Sequence, residues 1–270
     1  MPSPCRVCGA ECGEFGRMKV MGKHEGVYDL CPQCGYLQAR DPFWLAESYE
    51  SPITRTDIGT VNRCVKNATV VRLLISLCIR SQGPFLDYGA GYGMFVRHMR
   101  DYGYDFWYQD SYCQNLFAED FVVDANSAGK FELITAFEVF EHMARPAEDL
   151  DQILQFGRRI LFTTELLPQP LPAMGQWWYH APDHGQHIGF YSLRTLEYIA
   201  GKYKLHLATN GSGVHYLGKE PLSSRTLRWL LHPRAKSLLP FFRRPSLLMS
   251  DYDARRQRAF QKLGQQAPPR

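Results

Sequence analysis

A chain of 270 residues with 45% hydrophobic content can bury one full core plus a small accessory module, and its formal charge of +4 conceals an uneven distribution. No apolar run reaches the roughly 18 residues of a membrane-spanning helix. The start, Met1-Pro2-Ser3-Pro4-Cys5, lacks the basic and apolar regions of a signal peptide, so the sequence predicts a cytoplasmic protein whose clustered cysteines bind metal rather than pair as disulfides.

Five of the eight cysteines fall within the first 34 residues. Cys5-x-x-Cys8 and Cys31-Pro32-Gln33-Cys34 form two knuckles with 22 residues between them, each followed by a glycine that lets backbone amides turn toward the thiolates. This pattern predicts a structural zinc ribbon over residues 1–40, with Cys5, Cys8, Cys31 and Cys34 as ligands. A four-thiolate site has no open position, so the metal is expected to fold the module and not to catalyse. Cys12 reads as a bystander, and the scattered Cys64, Cys78 and Cys113 read as buried thiols. A linker and preceding helix over 41–82 follow. Val65, Ala68, Thr69, Leu73 and Leu77 give a helix from about 61 to 79 one apolar face. Within the linker, Tyr49 and Thr56-Asp57 are candidates for a lid, with plain packing as the competing reading.

The most informative stretch is Phe85-Leu86-Asp87-Tyr88-Gly89-Ala90-Gly91-Tyr92-Gly93, an apolar strand end running into a glycine loop and then a helix. Glycines at 89, 91 and 93 allow a tight turn and close approach to a ligand, while the helix-opening amides at 94–96 offer hydrogen-bond donors. Asp110 follows a second strand, 105–109, where an α/β nucleotide fold places a carboxylate against ribose hydroxyls. The spacing is G-x-G-x-G, and Asp87 would repel a pyrophosphate but suits a cationic ligand. Here the chain resembles the class I S-adenosylmethionine (SAM)-dependent methyltransferases, and Phe131 to Phe140 followed by Glu141-His142 is similar to that family's post-strand segment. The resemblance covers roughly residues 60–218. It implies a Rossmann-like, doubly wound α/β fold with a seven-stranded sheet over 83–218. It also implies SAM binding by Asp87, Tyr88, Gly89, Ala90, Gly91, Gly93 and Asp110, together with Phe137 and Glu138.

Past Asp110 the chain reaches Phe121-Val122-Val123-Asp124 by an unusually short route. In the resembled family the residue after this strand often lies beside adenine, so Asp124 and Ala125 are candidates, with a solvated loop acid as the alternative. Pro146 suits the first turn of a helix running to 156, with Glu148 and Asp149 near its positive end. Residues 159–164 read as a strand, 193–202 as a helix capped by Ser192, and 206–209 and 214–217 as closing strands.

Substrate chemistry is expected between 177 and 192, where Trp177-Trp178-Tyr179-His180 and Asp183-His184-Gly185-Gln186-His187 crowd aromatics and three histidines into one loop. Ligands bind beyond the carboxyl ends of strands in such sheets, so this loop should overhang the transferred methyl. Methylating a hydroxyl requires loss of its proton, which a neutral histidine can accept near pH 7. His187 is the first candidate base, with an acid limb expected at about 6 to 7; His184, His142 and His180 stand behind it, and helix capping or a buried hydrogen bond is the competing role. Trp177, Trp178, Tyr179 and His180 are candidates for the substrate wall.

The cysteine-rich start, the Glu141-His142 segment and Gly185-Gln186-His187-Ile188 together resemble bacterial methyltransferases of polysaccharide and sugar-nucleotide pathways. That resemblance implies O-methylation of a sugar, nucleotide-sugar or related small-molecule hydroxyl. From Lys219 onward 12 Lys or Arg face 3 Asp or Glu, leaving residues 1–218 at −5. Such a basic C-terminal tail over 219–270 is compatible with an anionic surface contact. Two other classes compete. An RNA methyltransferase would use the ribbon and tail to hold nucleic acid, but the acidic first 218 residues and the lack of an Asn-Pro-Pro-Tyr-type motif weigh against it. A noncatalytic SAM-binding or ribbon interaction module is disfavoured by the intact loop and the histidine-rich lid.

Overall fold

A computed structural model describes residues 3–54, 56–124 and 126–265, with side chains to 261; Ala125 lies outside the described residues. Three antiparallel strands come first: β1 (Gly13–Val20), β2 (His24–Leu30) and β3 (Leu37–Ala39). A short helix α1 (Leu45–Ser48) leads to α2 (Thr60–Leu74), which continues through one wider turn over Ile75–Ile79. The predicted helix is therefore present, and Cys64, Ala68, Val71 and Leu74 are buried along it.

The central sheet begins with β4 (Phe85–Tyr88), the helix α3 (Met94–Asp101) and β5 (Phe106–Gln109). It continues with β6 (Leu133–Phe137), α4 (Pro146–Phe156) and β7 (Arg159–Thr163). After a two-residue strand β8 (Gly189–Phe190) come α5 (Leu193–Tyr203), β9 (His206–Thr209) and β10 (Val214–Gly218). Six strands form the sheet, in the order β5-β4-β6-β7-β10-β9. The first four are parallel and β10 runs antiparallel to both neighbours, which gives the doubly wound, Rossmann-like α/β architecture expected.

The strands are apolar almost throughout because both sheet faces are covered. Leu86, Ile134, Ile160 and Phe162 pack on one face with Leu196 and Ile199 of α5. Their neighbours Phe85, Leu133 and Leu161 pack on the other with Val71, Leu74 and Val96 of α2 and α3. The two-residue period of a strand sorts them. The expected seventh strand at 121–124 is reduced to a single parallel bridge between Tyr108 and Val122. No helix spaces this crossover; a 3-10 turn, Glu119–Phe121, precedes the bridge. The hydroxyl of Ser127 and the amide of Asn126 then close a turn onto the Asp124 carboxylate.

The cysteine module does not stand apart. Leu37 and Gln38 of β3 pair with Phe190 and Gly189 of β8, so the sheet β1-β2-β3-β8 takes its last strand from the far end of the chain. Arg6 adds a second tie by donating to the carbonyls of Ala39 and Ile188, both at 3.0 Å, and to Ala144 at 3.1 Å. Cys78 departs from the buried-thiol expectation and is exposed.

The segment after 219 is folded onto the core. Helix α6 (Ser224–Leu231), capped by Ser223, buries Leu227 and Leu230 while Arg225 and Arg228 face outward. Helix α7 (Leu248–Gln265) is anchored where Asp251 meets Arg97 and Arg100, each at 2.9 Å. Among the described residues no helix is long and apolar enough to cross a membrane. Because Leu230 is fully buried beside α2, Leu230→Ala should lower stability by about 2–5 kcal/mol in urea unfolding. A loss under about 0.5 kcal/mol, typical of surface substitutions, would show that α6 is not part of the core.

Candidate functional site

A cavity of about 710 Å³ opens where β4, β5 and β6 end, between the glycine loop and the loop over 177–187. At one end the loop after β4 is pinned to β5, with the amides of Gly89 and Ala90 both donating to the Gln109 carbonyl at 2.8 and 3.1 Å. Gly89 has φ +68°, and a Cβ there would sit 2.5 Å from Val139, so a side chain is excluded twice over. Gly91, at φ +57°, has room on its cavity side, the nearest atom to a Cβ being Ile53 Cδ1 at 3.7 Å. Its amide donates to Asp110 Oδ2 at 2.8 Å, while Tyr112 and Cys113 amides donate to Oδ1 at 2.7 and 2.8 Å. The Asp110 carboxylate is thus fixed by three backbone donors at the cavity edge.

Asp87, Tyr88, Gly89, Ala90, Gly91, Asp110, Phe137 and Glu138 all line this space. Two expected cofactor residues do not. Gly93 starts α3 in a left-handed conformation against Asn115 and Ala118, and Asp124 sits in its own turn away from the lining. Asp87 is buried and accepts a 2.6 Å bond from Thr135 Oγ1. Burial, aided by the charge of Asp110, pushes its carboxyl up to about 7. Glu138 has a left-handed backbone (φ 54°) at the end of β6, held by Thr163, whose hydroxyl donates to Oε1 at 2.6 Å and accepts from the Glu138 amide at 2.8 Å. A non-glycine residue held so at a cavity edge stores strain that surrounding contacts must offset.

The opposite end is built from two loops pressed together. The 3-10 turn Phe140–His142 is fixed because Phe140 stacks on Phe162 of β7 at 3.9 Å between centroids and its carbonyl accepts the Tyr191 hydroxyl at 3.0 Å. That turn presents Glu141 and His142. The Ile188 amide donates to the Glu141 carbonyl at 2.9 Å, which brings His187 alongside. His142, His184, His187, Trp178 and Tyr179 line the cavity. His187 and His142 meet edge to face at 4.9 Å, as do His184 and His187. Trp177 instead packs on Tyr179 and Phe190, and His180 is fully buried, its Nδ1 accepting the Gly175 amide at 3.0 Å.

Burial keeps these imidazoles neutral. It lowers His187 to about 4 and holds His142 well below the usual imidazole range, so the acid limb expected at 6 to 7 does not belong to His187. His187 Nδ1 lies 2.7 Å from the Tyr179 carbonyl, an acceptor only, and therefore carries the proton; Nε2 is left with its lone pair.

Sequence reasoning passed over three residues here. Glu141 is fully buried with neither carboxylate oxygen hydrogen-bonded. Gln186 donates to the carbonyls of Ser48 and Ser51 at 2.7 and 3.2 Å, clamping the 45–54 segment over the cavity. Arg63 pairs with Asp57 at 2.6 Å on the rim. The linker residues Tyr49, Thr56 and Asp57 do reach the cavity, and Tyr49 stacks on Tyr112 at 4.8 Å. The Glu-His dipeptide after β6 was the available signal for Glu141.

At the cysteine module, one Sγ from each of Cys5, Cys8, Cys31 and Cys34 lies within 4.8 Å of the others. The Cys34 amide points at Cys31 Sγ at 3.4 Å, and Cys12 is outside the group. Four sulfurs so gathered match the donor set and closeness of a tetrahedral zinc site, so these cysteines could hold a zinc ion.

Comparison with solved structures finds three similar chains among others. The 1,6-didemethyltoxoflavin-N1-methyltransferase of Burkholderia thailandensis, with S-adenosylhomocysteine (SAH) bound, shares 13% identity over 75% of this chain and 97% of its own, with a TM-score of 0.47. The magnesium protoporphyrin IX methyltransferase of Synechocystis, also with SAH, shares 13% over 64% and 90%, at 0.41. Human N-acetylserotonin methyltransferase, with SAM, shares 12% over 66% and 66%, at 0.36. No curated protein matches. The sequence profile of a family described as "Methyltransferase domain" matches residues 65–209, more than half of the chain and the span that builds the glycine loop, the Glu141-His142 turn and the 177–192 loop. The chain therefore belongs to the methyltransferase-domain family and is a SAM-dependent methyltransferase.

Proposed function

We propose that this enzyme methylates a hydroxyl of a small, sugar-type acceptor at the histidine end of the cavity. The observation that carries the reading is the neutral, cavity-facing imidazole pair His142 and His187, set across the cavity from the Asp87 and Asp110 carboxylates. Bound SAM supplies an electrophilic methyl group. Asp87 and Asp110, with the bare backbone of Gly89 and Gly91, would hold it. His187 Nε2 offers a lone pair for the hydroxyl proton, and Trp178, 74% exposed, offers a flat apolar face at the entrance on which a sugar ring can stack. An RNA acceptor has less support, because the basic segment after 219 is committed to α6 and α7 rather than to the cavity rim.

The cysteine module, in this reading, holds one zinc ion that staples the chain ends of β1–β3 and so steadies β8 and the histidine loop. Zinc analysis should give about one equivalent per chain. Cys31→Ser with Cys34→Ser should abolish it and speed hydrogen exchange at 186–190. Full zinc retention, or unchanged exchange at those amides after its loss, would contradict the assignment.

With an acceptor identified by SAH release from a panel of sugars and nucleotide-sugars, His187→Ala and His187→Gln should each lower turnover about a hundredfold or more. SAH affinity should barely change. Near-wild-type turnover in both variants would remove His187 from the reaction.

Asp87 gives a pH dependence whose sign follows from linkage. In the free protein its carboxyl titrates at about 7, whereas a cationic ligand favours the ionised form, so binding releases a proton below that pH. SAM affinity should therefore rise with pH by up to about tenfold per unit between about 5 and 7, then level off. Calorimetry across pH checks this. An equal slope in Asp87→Asn would assign the dependence elsewhere.

A further inference from the structure

Buried polar atoms are almost always hydrogen-bonded, so a buried carboxylate with both oxygens unpartnered calls for an explanation. Glu141 is such a group. The hydroxyls of Tyr179 and Thr164, 3.3 Å from each other, lie near enough to favour its ionised form, but neither meets hydrogen-bond geometry with its oxygens. Facing it instead are two imidazoles. His142 Nε2 lies 4.0 Å from Glu141 Oε1, its Nδ1 is also buried and unpartnered, and His187 completes the group. One ligand atom from each of the three lies within 4.8 Å of the other two.

The surroundings of this triad are those of a metal site. Ligating histidines typically donate their second nitrogen to a carbonyl or carboxylate, which fixes the tautomer and aims the free lone pair. His187 does this through Tyr179, at 2.7 Å. The backbone bond from Ile188 to Glu141 and the stacked Phe140 fix the two loops relative to each other, so the donors are preorganised. Burial lowers the proton affinity of both histidines and raises that of Glu141 to about 8, each group preferring its neutral form until a cation arrives.

We propose that Glu141, His142 and His187 bind a divalent first-row transition-metal ion at the acceptor end of the cavity. Two imidazoles and one carboxylate suit Mn, Fe, Co or Zn better than Mg or Ca, which prefer oxygen donors. Three protein ligands leave positions open toward the cavity, as in catalytic rather than structural sites. The catalytic use of the ion rests on the acceptor assignment above; its binding does not. An acceptor hydroxyl entering an open position forms a metal–oxygen bond and loses its O–H proton to water in the cavity, which leaves a metal-bound alkoxide as nucleophile. His187 then serves as a ligand, and its lone pair is no longer the proton acceptor.

Mn2+ alone tests the proposal on the full chain with its cysteine site zinc-loaded, because Mn2+ competes poorly for thiolates. Free Mn2+ measured by electron paramagnetic resonance should reveal one site per chain. Glu141→Gln and His187→Gln should each weaken it by about tenfold or more, with circular dichroism and SAH binding unchanged. Co2+ should give a visible spectrum lacking the thiolate charge-transfer bands of a cysteine site. Absence of Mn2+ and Co2+ binding in the wild-type chain would overturn the proposal whatever the variants do. So would equal binding in both variants, and in either case Glu141 and His142 would be a neutral carboxyl–imidazole pair. Because the readout is binding, failure here leaves hydroxyl methylation by direct proton transfer to His187 standing.

Discussion

The placement of the histidine loop depends on a short seam: two residues of β3, Leu37 and Gln38, pair with two residues of β8, Phe190 and Gly189, just past His187-Ile188. Loops carry function but are mobile unless something holds them. Here the cysteine module supplies the missing strand, and Arg6 reaches across to the Ile188 carbonyl. From the other side, Trp44 Nε1 donates to the Gly185 carbonyl at 2.9 Å, and Gln186 holds the Ser48 and Ser51 carbonyls. The histidine loop is therefore gripped on both flanks by N-terminal residues, while α5, capped by Ser192 and Thr195, sets where it must stop. Thr195 Oγ1 also donates to the Cys34 carbonyl at 2.9 Å, so the cap and the cysteine knuckle share a hydrogen bond.

The electrostatics of the cavity follow from how little water reaches its walls. Asp87 and Glu141 are both pushed toward their neutral forms by burial, and His142, His184 and His187 likewise. A buried carboxyl of this kind ionises when a cation arrives, and the resulting pairing is weakly screened by water. One end meets that description with the Asp87 carboxyl beside the glycine loop, the other with Glu141 and its two imidazoles. On the proposed reading, this arrangement lets one cavity receive a cationic cofactor and an acceptor whose proton must leave.

What the sequence showed plainly was whatever depends on short-range spacing. The glycine loop, Asp110 and the two cysteine knuckles are each set by residues within about twenty positions, where turn geometry and metal chelation dictate residue type. The central sheet was legible because buried parallel strands read as apolar runs. The joining of β3 to β8 was not, since two strands of three and two residues carry no periodicity. Glu141 was legible only as part of the Glu-His dipeptide for a related reason: its complete burial and its closeness to His187, 46 positions away, are set by long-range packing. Likewise the charge of the last 52 residues masked Leu227 and Leu230, whose spacing places them on one helical face.

A crystal structure with SAH tests the account most directly. Ribose hydroxyls should lie at Asp110, backbone contacts at Gly89 and Gly91, and the thioether sulfur should be directed toward Glu141, His142 and His187. A ligand bound in the same cavity with its sulfur turned instead toward Asp57 and Arg63 on the rim would contradict it.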